Sequence, residues 1–155
     1  MNFTYYILAM QLIYQGEDYR ACVYNDQSGK AFHIKEGKPG DPKATVGIGF
    51  NLEDTGLTFR SCLFILIEFI DGIEARFNKY PWFQALEGPR RAVVIDMIYN
   101  LGDAGFLEFK GTIAALSKRD WNQAATNMEQ SLWYKQVGQR AVRNVKIMRE
   151  GKVTF

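Results

Sequence analysis

The sequence predicts an α+β fold: a small helix-plus-sheet lobe, a long helix, and a larger helical lobe, with a cleft between the lobes. Two observations carry that expectation. Strand-like alternation and glycine-marked turns are confined to the region before residue 57, and apolar residues at helical spacing fill most of the remainder, including a long apolar stretch from Thr58 to about Asn78 that can reach both lobes. The length of 155 residues fits one domain, 1–155, with 1–57 as the small lobe, 58–78 as the connecting helix and 79–155 as the helical lobe. A chain of this size buries roughly 70% of its extended surface and is expected to fold alone.

The apolar run from Tyr5 to Met10 belongs to a packed first helix rather than a signal peptide, because it lacks a basic flank, is interrupted by Gln11 and is too short to span a bilayer. Gly16 is expected to close that helix through the left-handed conformation, which puts Glu17 at a helix end. Tyr19, Ala21 and Val23 alternate with Arg20, Cys22 and Tyr24 as in a strand, and Asp26-Gln27-Ser28-Gly29 has Asp and Gly where a type I turn places them. Residues 27–44, with three glycines, two prolines and four lysines around Phe32, His33 and Ile34, read as a short strand and a long polar excursion. TVGIGF, 45–50, reads as one strand with Thr45, Gly47 and Gly49 on one face and Val46, Ile48 and Phe50 on the other.

Beyond it the long apolar helix has Gly72 as a candidate bend. Pro89 suits the first turn of the next helix, Val94, Met97, Ile98 and Leu101 form one stripe, and Gly102 suits its stop. Asp120 can cap a helix through WNQAATNM, and Arg140, Arg143, Lys146 and Arg149 recur every three residues near the end. That basic stripe fits an anionic surface or, apart from Arg140, a solvated helix face equally well. Trp82, Trp121 and Trp133 read as packing anchors.

Nineteen basic against seventeen acidic residues give a net charge of +2, too mild a bias to argue for nucleic acid. Cys22 and Cys62 lie forty positions apart and have neither the density of a disulfide framework nor the spacing of a metal site, so they read as buried thiols. His33 is the single histidine and has no neighbouring ligands; no metal or other cofactor is expected. The chain shows no internal repeat, low-complexity tract or linker.

Chemistry enters at GEDYRACVYND, where Glu17 and Asp26 stand nine positions apart, followed by Thr45 at the start of the next strand. A glycosidase needs two carboxylates and an ordered water around one sugar bond, and these residues can supply them. Taken singly, each carboxylate is an ordinary surface charge and Thr45 a β-branched strand residue.

The order of EDYRACVYND, TVGIGFNL, RRAVVIDMIYNLGDAGFLEFKGTIAAL, WNQAATNM and SLWYKQVGQRAVR resembles phage lysozymes of the T-even type, glycoside hydrolase family 24, from about Tyr14 to Arg149. The resemblance implies a lysozyme-like fold with a small antiparallel-sheet lobe, and a muramidase that cuts the β-1,4 bond between N-acetylmuramic acid and N-acetylglucosamine. It implies Glu17 as catalytic acid, Asp26 as second carboxylate and Thr45 as the residue positioning water. It further implies Leu52, Tyr99, Thr112 and Asn127 as glycan contacts, and Arg140 as the arginine facing Glu17. Without it, Tyr99 reads as a core aromatic and Asn127 as an exposed helix residue. The chemistry agrees: Glu17 must keep its proton through burial, and Asp26 must stay ionised to stabilise the sugar cation and, with Thr45, orient water. An inverting displacement is the expected outcome. Arg140 sets up a tension, because a nearby cation favours the ionised form of Glu17.

Three departures from the family stand out. Asp18 follows Glu17 where the family has glycine, Phe50 replaces a usual histidine, and 27–44 is a long insertion, which either covers the cleft mouth or is a tolerated surface loop. Two alternatives are a lytic transglycosylase and a catalytically inactive glycan-binding module. The expected partner is peptidoglycan glycan strands, with no nucleic acid, no stable membrane insertion and a monomeric state. The expected setting is synthesis in the host bacterial cytoplasm and action on the wall in the periplasm, as a holin-dependent endolysin or a virion entry enzyme.

Overall fold

From Phe3 to Gly16 neither proline nor an internal glycine interrupts a largely apolar run, and it forms α1 (Phe3–Gly16). The structure is a computed structural model and describes residues 3–16, 45–46 and 50–153. After α1 come β1 (Thr45–Val46), β2 (Phe50–Asn51), α2 (Leu52–Thr55), α3 (Phe59–Phe77), α4 (Pro81–Gln84), α5 (Gly88–Leu107), α6 (Lys110–Ser117), α7 (Trp121–Glu129), α8 (Leu132–Val137) and α9 (Gln139–Glu150). The chain divides into two compact units, Met1–Glu17 with Leu66–Phe155, and Asp18–Ile65; the division falls within α3.

The α+β expectation, with its antiparallel-sheet lobe, does not hold. The described residues are overwhelmingly α-helical, and their β structure is one antiparallel pair of two-residue strands with Thr45 opposite Asn51 and Val46 opposite Phe50. Two residues a side make a ladder rung rather than a sheet layer. TVGIGF is accordingly not one strand, since its two ends pair with each other. The strand-like segment 19–24 and the turn at 26–29 lie outside the described residues.

In the second unit, Thr55 Oγ1 donates to the Asn51 carbonyl at 2.6 Å and closes α2 back onto β2. Thr58 caps α3, its Oγ1 accepting the Ser61 amide at 3.1 Å. The helix then runs to Phe77, continuous through Gly72.

The first unit is built around α5. Every residue from Ala92 to Ile98 is buried, so this helix is enclosed all round rather than along the stripe its sequence presents. The reason is that α1 and α9 both pack on α5, with α7 behind α9. Pro89 sits in the first turn as expected. Gly102 ends the first of two helical stretches within α5, as expected: at φ 73° and ψ 165° it takes a backbone conformation open essentially to glycine, and a second stretch follows across the kink to Leu107.

Aromatic packing closes the core. Phe77, 1% exposed, has the rings of Tyr80, Phe83, Phe106 and Trp82 around it at centroid distances of 5.6, 5.7, 6.2 and 6.3 Å. Charged side chains tie the helices at the rim. Arg91 of α5 pairs with Glu74 of α3 and lies 5.0 Å over the Tyr5 ring of α1, while Tyr6 donates to Asp71. Arg90 donates to the carbonyls of Met148 and Arg149 at 2.9 and 3.2 Å, covering the C-terminal end of α9, and stacks 4.6 Å over Trp121. Asp120 caps α7 as expected, accepting the Gln123 amide at 2.9 Å. Cys62 is a half-buried free thiol, and Cys22 lies outside the described residues. No helix among the described residues is long and apolar enough to cross a membrane.

Phe77→Ala is expected to cost about 3–5 kcal/mol of unfolding free energy. Urea denaturation followed by circular dichroism measures it, and a loss below about 1 kcal/mol would show that the aromatic cluster does not anchor the helical unit.

Candidate functional site

Arg140 lies in the first turn of α9 and is only 8% exposed. A buried guanidinium needs a matched anion, and α5 provides it. Arg140 Nη2 donates to Asp96 Oδ1 at 2.9 Å and Nε to Oδ2 at 3.2 Å, a two-pronged pair that fixes the plane of the guanidinium. Asp96 is 0% exposed. Asn144, one turn further along α9, donates its amide to the same carboxylate.

Gly16 closes this group from α1. A Cβ built there would lie 2.7 Å from Arg140 Cζ, so residue 16 is glycine to leave room for the guanidinium. The expected left-handed closure is not found; Gly16 has ordinary helical backbone. One turn along α9, Arg143 reaches the same end of α1, donating to Gln15 Oε1 at 2.8 Å and the Leu12 carbonyl at 3.0 Å. Cations at a helix C-terminus are favoured by its exposed carbonyls. Burial pushes the Arg143 guanidinium below its usual value; Asp96 opposes that shift and Arg140 adds to it.

The residues expected to contact glycan separate into groups. Thr112 and Asn127 line one hollow of about 510 Å³ with Phe109, Ser131, Trp133 and Gln136. Thr112 is 2% exposed and forms wall, while Asn127 is half-buried and accepts from Gln123 Nε2 at 2.9 Å. Trp133, read from sequence as an anchor, is buried and donates Nε1–H to Asn100 Oδ1 at 2.9 Å. Tyr99 lines a different hollow of about 360 Å³ with Phe69, Ile73, Arg76 and Asp103, its ring edge-on to Phe69 at 5.9 Å. Arg76 bonds Asp103 at 2.6 Å and holds that carboxyl below the usual range. In the second unit, Leu52 opens α2 directly after Asn51, the residue paired with Thr45.

Glu17, Asp26, Asp18, His33 and the insertion 27–44 lie outside the described residues, and so does the expected facing of Glu17 by Arg140. Among the described residues no group of histidines, cysteines and carboxylates could hold a metal ion. Asp96, Asn144 and Asn100 were not singled out from sequence. A signal for Asp96 was present: it is the one charged residue in the apolar run AVVIDMIYNL, and a carboxylate at a core position implies a buried partner.

These features define a class: a helical unit organised on a buried arginine–carboxylate pair, with two polar-edged hollows elsewhere in the same unit. No protein-family model matches the chain. Over 69 residues it is 26% identical to probable T4-type lysozyme 1 of Dictyostelium discoideum, an alignment covering 44% of this chain and 41% of that protein. The chain thus matches less than half the length of that relative. The likeness supports a lysozyme-like relation.

Gly16→Ala should force the Arg140 guanidinium away from its seat. The expected cost is about 1–3 kcal/mol, read from the denaturation midpoint. An unchanged midpoint would mean that the guanidinium has room the geometry denies it.

Proposed function

We propose that this chain is a peptidoglycan hydrolase of the lysozyme type, an N-acetylmuramidase of glycoside hydrolase family 24 that cuts the β-1,4 bond between N-acetylmuramic acid and N-acetylglucosamine. The observation that carries the reading is the seat of Arg140: a buried guanidinium, locked by Asp96, packed against the residue that immediately precedes Glu17 in the chain. The likeness to a T4-type lysozyme supports it independently.

In this reading Glu17 donates its proton to the leaving sugar oxygen. Asp26 stays ionised and, with the Thr45 hydroxyl, orients a water on the opposite face of the ring. Loss of the glycosidic bond and attack by water then invert the anomeric centre. Such a mechanism keeps its two carboxyl groups roughly 6.5–9.5 Å apart to admit the water. Asn127 and Thr112 shape one binding hollow, Tyr99 and Leu52 contribute elsewhere along the glycan, and Arg140 fixes the acid. The biological setting we infer is host-cell lysis, with the enzyme made in the bacterial cytoplasm, acting as a monomer and reaching the wall through a holin.

Clearing of exposed peptidoglycan is expected for the wild-type chain, with Glu17→Gln reducing it by about 10²–10⁴-fold. Equal clearing by both would defeat the hydrolase reading. Mass spectrometry of the products separates the alternatives: hydrolysis leaves a reducing muramic acid end, a lytic transglycosylase an anhydro-muramyl end, and an inactive binding module no product. Arg140→Ala should lower turnover by about 10²-fold through misplacement of Glu17, and unchanged turnover would remove Arg140 from the site.

A further inference from the structure

We propose that Asp96 is a positioning residue for the general acid, whose buried carboxylate both aims the Arg140 guanidinium and cancels its charge, so that Arg140 can hold Glu17 without depriving it of its proton. The inference rests on the proposed reading in which Glu17 is the acid and Arg140 holds it.

A general acid working near neutral pH must remain protonated well above the ordinary glutamate value of about 4.3, and an uncompensated cation within contact lowers a carboxyl by about 1–3 pH units. An arginine beside the acid is therefore harmful unless its charge is met from behind. Asp96 meets it through both oxygens, at 2.9 and 3.2 Å, where neither partner is open to solvent screening. Asn144 holds the carboxylate from a third direction. Gly16 removes any side chain between the guanidinium and the peptide that leads to Glu17, and successive Cα atoms are only about 3.8 Å apart.

Among the described residues few other charges face this group. The described part of α1 carries no charged side chain, and α5 carries none but Asp96 between Arg91 and Asp103. The neighbouring cation on α9 is Arg143, engaged with Gln15 and the Leu12 carbonyl. In sequence, Asp18 adjoins Glu17. Asparagine at position 96 could keep much of the geometry but not the charge, which makes the two roles separable.

The test is the pH dependence of wall clearing for wild type, Asp96→Asn, Arg140→Gln and the double variant, with Glu17→Gln as control and melting curves for each. Asp96→Asn should move the alkaline limb of activity down by about one pH unit, and Arg140→Gln should move it up. The double variant should return towards the wild-type limb while its turnover stays low, a pattern that loss of packing alone does not produce. A folded Asp96→Asn protein with the wild-type limb overturns the proposal. Should that variant fail to fold, the double variant is compared with Arg140→Gln: a lower limb in the double supports compensation, and coincident limbs overturn it. Wild-type clearing no better than Glu17→Gln is the separate result that removes the hydrolase reading, and the role of Asp96 with it.

Discussion

A carboxylate with no access to water is the constraint around which the helical unit is arranged. Asp96 comes from the stretch of α5 that is buried without a break from Ala92 to Ile98, and its charge is tolerable there only because Arg140 and Asn144 of α9 meet it. The requirement is geometric as much as energetic. A two-pronged pair tolerates little rotation, so α9 has one register on α5 in which both contacts are made. The end of α1 is then fixed as well, because only a residue without a side chain fits over the guanidinium. Removing one member of such a pair strands the other at a cost of about 3–5 kcal/mol, whereas replacing both by apolar groups is often neutral. The pair is thus better understood as setting position than as adding stability.

The parts of this fold legible in the sequence were those written in local signals. Pro89 marked the start of α5, Asp120 the start of α7, and the unbroken apolar stretch after Thr58 gave α3 its length. What failed depended on partners far along the chain. Val94, Met97, Ile98 and Leu101 looked like one apolar stripe, but burial from Ala92 to Ile98 was set by helices on several sides. Gly16 looked like a stop of the usual kind, yet its reason is a side chain from position 140. The sheet was inferred in part from alternation over TVGIGF, a pattern of period two that does not tell one continuous strand from two short strands that pair with each other.

The candidate site divides along similar lines. Residue types and order were enough to nominate Arg140, Thr112 and Asn127, and Thr112 and Asn127 do share one hollow. They were not enough to find Asp96, whose meaning depends on α9, nor to separate Tyr99, which lines a second hollow alongside the Arg76–Asp103 pair. The burial of Thr112 also gives it a different task from a hydroxyl reaching out to ligand: it forms part of the wall of the hollow that Asn127 also lines.

The division of the chain has a bearing on synthesis. The helical unit is assembled from residues before 18 and after 65, and the bond from Arg143 to the Leu12 carbonyl joins positions 131 apart. A ribosome would therefore release α1 long before α5 and α9 exist to receive it. A lone helix of 14 residues is marginal in water, and Ala9, Leu12 and Ile13 would remain uncovered until the helices that pack on them are made. Contacts between segments this far apart in sequence wait on synthesis of both, and the apolar face of α1 is open to chaperones in the interval. The seat for Arg140 therefore forms only once α1, α5 and α9 have all been made, however early α1 leaves the ribosome.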